Sequence, residues 1–125
     1  MTPADRIAGG AGEPGDGDSL SRLFGGPTAE ERARIRADLI ARAIQVQVGG
    51  WAPYRTVWST GEVIGVAALI GDRVELTAQG ESLRSAWERW AFDLWGLSGG
   101  QGDVDNDCER TREWFLEAAR EVGGR

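Results

Sequence analysis

Residues 62–79 read EVIGVAALIGDRVELTAQ, and how this stretch folds decides the architecture of the whole chain. Within residues 62–70, Val63, Gly65, Ala67 and Leu69 fall on one side of an extended backbone, and Ile64, Val66, Ala68 and Ile70 on the other. Both sides are apolar, the pattern of a central strand covered on two faces. Gly71 and Asp72 fit a two-residue hairpin turn. Residues 73–79 then alternate, with Val74, Leu76 and Ala78 opposite Arg73, Glu75, Thr77 and Gln79. Upstream, residues 54–58 suit a further strand, joined to the central one through the turn-forming STGE. This reading predicts a small antiparallel sheet of about three strands.

Helices flank that sheet. Thr28 and Glu31 fit a capping box with Pro27 just outside it, so a helix is predicted over about residues 29–44, with Ile35, Leu39, Ile40 and Ala43 as its inward stripe. A second helix over residues 81–95 turns Leu83, Ala86, Trp87, Trp90, Ala91 and Leu94 inward, which makes Trp87 and Trp90 core residues. The final helix, residues 108–122, carries Phe115, Ala118, Ala119 and Val122 on one face and Trp114 and Leu116 on its flanks; Asn106 is its expected N-cap. It is the expected cover for Phe92 and Trp95, which fall off the inward stripe of the preceding helix. The fold class expected is therefore α+β, with one N-terminal and two C-terminal helices on the sheet. Residues 1–18, rich in Gly, Pro and acidic side chains, are expected to form a disordered tail before one domain over residues 19–125. Leu20, Leu23 and Phe24 make a short apolar face that either docks on the domain or serves as a linear motif.

Composition narrows the function. The chain has 125 residues, 41% of them hydrophobic, enough for one core burying about two thirds of the unfolded surface. A net charge of -6 gives no basic footprint for a phosphate backbone, so no nucleic-acid partner is expected. All 14 basic residues are Arg, which with abundant Gly and Ala suggests a high-GC bacterium, its phage or another mobile element. MTPADRIAGG has no apolar leader segment, and no run approaches the ~20 residues needed to span a bilayer, so a cytoplasmic protein without membrane contact is expected. Cys108 is the one cysteine, and there is no His. That removes imidazole-based triads and imidazole metal sites, and nothing selects a catalytic pair among the 20 acids, so a non-enzyme without cofactor is expected.

Three local resemblances bear on this reading. LSGGQ at residues 97–101 resembles the signature loop of ABC-type ATPases, which implies ATP. That family also needs a Walker A lysine, and this chain has no Lys; GDVDND follows at residues 102–107, where phosphate needs donors, so no nucleotide is expected. The loop reads instead as a Gly-rich helix end and turn, with Gly96 stopping the helix before it. Asp103, Asp105 and Asp107 resemble the opening of an EF-hand loop, which implies calcium as an alternative; Cys108 replaces the required Gly, and Trp114 the bidentate Glu. Lastly, the strand order followed by QGESLRSAWERW, over about residues 54–95, resembles the N-terminal domain of HicB-type antitoxins. It implies an antitoxin-like regulator with a sheet–helix core, although the Pro-rich strand connection and a C-terminal DNA-binding motif are missing.

Six tryptophans remain. Trp58, ending a strand, should be half-buried. Trp51 in GGWAPY, beside Tyr54, is placed in a loop, and Trp95 and Trp114 lie near helix ends. Large rigid aromatics in such places suit interface anchoring at small entropic cost. The expected partner-binding residues are thus Trp51, Tyr54, Trp95 and Trp114, and the expected function is non-enzymatic protein binding, as a regulator or accessory factor.

Overall fold

In the computed structural model, which describes residues 25–123, the stretch 62–79 forms two helical segments, residues 62–70 and 73–78, and no strand. Five helices follow one another among the described residues: α1 (Ala29–Gly49), α2 (Thr60–Ile70), α3 (Arg73–Ala78), α4 (Leu83–Asp105) and α5 (Glu109–Gly123). No strand occurs among these residues, so the expected α+β class and its three-stranded sheet are overturned. The HicB-like sheet–helix core falls with them, because the strands it needs are helices and turns. The tail at residues 1–18 and the Leu20–Leu23–Phe24 segment lie outside the described residues.

The punctuation read as sheet turns is helix capping. Ser59 and Glu62 of STGE form a reciprocal capping box: Ser59 Oγ accepts from Glu62 N at 3.2 Å and Glu62 Oε1 from Ser59 N at 3.0 Å. At the far end Gly71 adopts the left-handed conformation of a helix C-cap (φ 70°, ψ 30°), and Asp72 at once caps α3 by accepting from Glu75 N. Gly-Asp thus serves two consecutive helix ends rather than a hairpin. Every residue from 63 to 69 is buried, because α2 runs through the middle of the molecule and packs against all four other helices. A helix apolar on all sides belongs at such a centre. Gly65 lets Trp90 press onto it: a Cβ there would lie 2.6 Å from the indole Cζ2.

The flanking helices agree better with the sequence. Thr28 and Glu31 close the capping box of α1, which buries Leu39, Ile40, Ala43 and Val46. The tryptophan helix starts at the N-cap Ser82, then bends at Gly96, whose φ of 82° and ψ of -178° leave helical space. The chain resumes helical conformation over residues 97–105, so LSGGQ is a helix segment and not the expected turn. Gly26 packs backbone to backbone on the bend, where a Cβ would meet Gly96 N at 2.5 Å. Residues 51–58, expected as loop and strand, form successive helical turns, with Arg55 N donating to Trp51 O and Trp58 N to Tyr54 O. No helix among the described residues is long and apolar enough to cross a membrane.

Candidate functional site

Each aromatic side chain singled out in the sequence has a defined place. Trp51 is half-buried against the core and donates through Nε1 to Asp72 Oδ2 at 2.8 Å. Tyr54 stacks on Trp58 with ring centroids 4.6 Å apart, and the Arg42 guanidinium lies 4.9 Å from the Trp58 ring. The segment is tied down a second time where Arg55 forks onto Glu75, which is only 4% exposed, at 2.7 and 3.0 Å. The Arg55 guanidinium holds the Glu75 carboxyl below its usual range against the opposing effect of burial. Asp72 is lowered as well, mainly by the Glu75 amide and then by the Trp51 indole. Trp51 and Tyr54 therefore share one turn-rich cover that is fastened to α3.

Trp95 and Trp114 lie elsewhere. Trp95 is 7% exposed, donates to Thr111 Oγ1 at 3.0 Å, and has the guanidinium groups of Arg110 and Arg32 at 3.7 and 5.0 Å from its ring. The final helix does cover it. Thr111 in turn donates from both its amide and its hydroxyl to Asp103 Oδ2, while Asp103 Oδ1 accepts from Arg110 N at 2.9 Å. Asp103, rather than Asn106, thus caps α5 with its carboxylate, the arrangement a helix N-terminus favours. It also holds the unusual pair of left-handed residues Asp107 and Cys108 through the bond from Cys108 N to Asp103 O. Asp105 accepts from Gln101 and Asp107 pairs with Arg84 at 3.2 Å, so the three carboxylates of the calcium alternative engage three different sets of partners. No group of metal-ligating side chains capable of holding an ion occurs among the described residues. Burial pushes the Cys108 thiol up, away from thiolate chemistry.

Trp114 is half-buried and meets Phe115 edge-on at 5.1 Å. Phe115 leads to the feature that the sequence did not reveal. An apolar groove of about 190 Å³ runs between the end of α2 (Leu69, Ile70), the first turns of α4 (Leu83, Trp87) and the face of α5 bearing Phe115, Leu116 and Ala119. Leu116 stands on it 45% exposed. Trp87, expected in the core, is half-buried here, and its Nε1 is buried without a hydrogen-bond partner. Among the other tryptophans, Trp51, Trp90 and Trp95 all use their indole N–H, Trp90 donating to Gly61 O at 3.2 Å. A buried donor left unpaired costs about 1–3 kcal/mol, and this one is closed off from solvent. No family model, curated protein or solved structure matches this chain.

Proposed function

We propose that this chain is a small cytosolic, non-enzymatic helical module that binds another protein through the groove between α2, α4 and α5. The single observation that carries the reading is the apolar trough between three helices, with Trp87 in its wall and Leu116 exposed on it. An apolar side chain of the partner fills the trough against Trp87, Phe115 and Leu116. The volume of the groove is below the ~300–1,000 Å³ of ordinary small-molecule pockets, which favours one or two anchoring side chains over a metabolite. A centrally placed Trp with an apolar surround is also the composition of interface hot spots. The lack of His and Lys and the buried single thiol support a binding role over catalysis.

The test is capture from the native host with the wild type, Leu116→Asp, and Val48→Asp as a control on another exposed apolar residue. A charge in the trough should abolish recovery of the partner while leaving the melting temperature within a few degrees, since Leu116 is half exposed. Recovery that survives Leu116→Asp and Trp87→Phe, yet is lost with a substitution at Trp51 or Tyr54, would move the interface to the turn-rich cover.

A further inference from the structure

Leu83, in the wall of the groove, also lines a second recess of about 170 Å³ between α3 and the start of α4, together with Arg73, Leu76, Thr77, Glu81 and Ser82. The two recesses adjoin at the Leu83 side chain and make one elongated track. Taking the groove as the docking site proposed above, we infer that the track receives a peptide segment of a partner protein that is both apolar and acidic. Its apolar side chains sit in the Trp87 half and its carboxylates on Arg112 and Arg73.

The placement of charge around the track carries this. Ion pairs among the described residues take up Arg36, Arg42, Arg55, Arg84 and Arg89. Arg73 and Arg112 are exposed and belong to none of them. At about 100° per residue Arg112 falls between Phe115 and Leu116 on the wheel of α5, whereas Glu113 and Glu117 both fall about 160° from Phe115. The groove wall of that helix therefore presents a guanidinium and no carboxylate. Of the acids beside the track, Glu81 accepts from Ser85 Oγ at 2.6 Å and from Arg89, and Glu88 is paired with Arg84 at 3.2 Å. What the track leaves to an incoming chain is apolar surface and two unpaired guanidinium groups, each able to fork onto a carboxylate. The net charge of -6 disfavours an acidic partner at long range, but at physiological ionic strength charges more than about 8 Å apart are largely screened. Contacts at the track then outweigh the total.

The experiment is fluorescence anisotropy of three labelled peptides titrated with the full chain. They are acetyl-Glu-Ala-Leu-Leu-Ala-Phe-Ala-Glu-amide, its Gln counterpart and its Lys counterpart. The acidic peptide should bind about fivefold or more tightly than the neutral one, and the basic peptide most weakly. Arg112→Gln and Arg73→Gln should each weaken the acidic peptide about two- to fivefold, the scale of one exposed ion pair, and leave the neutral peptide nearly unchanged, a split that loss of folding could not imitate. Raising the salt to 0.5 M should bring the acidic peptide down to the affinity of the neutral one. Leu116→Gln should weaken both. Equal affinity of the acidic and neutral peptides, with Leu116→Gln still weakening both, would overturn the acidic preference and leave the groove standing. Affinities untouched by Leu116→Gln would overturn the groove itself, and no saturable binding of the acidic peptide would overturn the inference. Tenfold tighter binding to a full chain with Leu20, Leu23 and Phe24 all changed to Ser would make the chain's own segment 13–24, EPGDGDSLSRLF, the occupant in place of an external partner.

Discussion

Gly65→Ala is the substitution whose sign depends most directly on the fold. On a strand, or in the interior of an exposed helix, replacing Gly by Ala is expected to stabilise by roughly 0.5–1 kcal/mol through backbone entropy. Here the new Cβ would lie 2.6, 2.8 and 2.9 Å from Cζ2, Cε2 and Nε1 of Trp90. The indole cannot move aside freely: its N–H is bonded to Gly61 O, and its ring meets Phe115 edge-on at 6.1 Å. Forcing a methyl into a packed core costs about 1–3 kcal/mol, and loosening the Trp90 hydrogen bond adds about 0.5–1.5. After the propensity gain is subtracted, a net loss of about 1–3 kcal/mol remains. For a domain of this size that is a fall of roughly 5–20 °C in Tm, at about 4–8 °C per kcal/mol. Thermal melts followed by far-ultraviolet circular dichroism and tryptophan fluorescence would measure it. A variant as stable as the wild type, or more stable, would refute the packing of α2 against Trp90.

Asp103→Ala removes the acceptor for two amides and the Thr111 hydroxyl at the start of α5, and should lower stability by about 2–4 kcal/mol in urea unfolding. Trp51→Phe keeps most of the ring but deletes the bond to Asp72, so a loss of about 1–2 kcal/mol is expected, with capture of the partner unchanged. Because Glu75 and Asp72 are held below their unfolded pKa values of about 4.3 and 3.9, their stabilisation is complete above that range and is lost as pH falls through the lowered folded values. Asp93, which is raised, works in the opposite sense. The melting temperature should therefore fall between about pH 5 and pH 3, and fall less in Glu75→Gln, as followed by circular dichroism.

The errors of the sequence reading have physical causes in particular residues. Thr28 and Glu31 were recognisable as a capping box because a clear helical stripe follows them, whereas the same pattern at Ser59 and Glu62 precedes residues 63–69, all apolar and so without any phase. A fully buried run carries no periodicity that separates period 2 from period 3.6. In residues 73–78 the apparent alternation was accidental: Val74 is exposed while the adjacent Glu75 and Leu76 are both buried. Gly99, Gly100 and Gly102 suggested a loop, yet Gly100 packs so closely on Phe92 that a Cβ would lie 2.7 Å from its ring, and tertiary contact overrides the weak helix propensity. Of the site, Leu83 and Trp87 were legible as part of the α4 stripe and Leu116 as a flank residue. What no sequence pattern could show is that the three meet along one apolar groove.

Trp87, in the wall of the groove, is the residue a bound partner should touch. With the chain labelled with ¹⁵N, each tryptophan gives one indole signal, and Trp87→Phe identifies the one from the groove. Saturating the protein with its captured partner should shift the Trp87 indole resonance as the groove fills, while the indoles of Trp90 and Trp95, bonded away from the groove, hold their positions. A Trp87 signal that stays in place while the Trp51 signal moves would contradict the account.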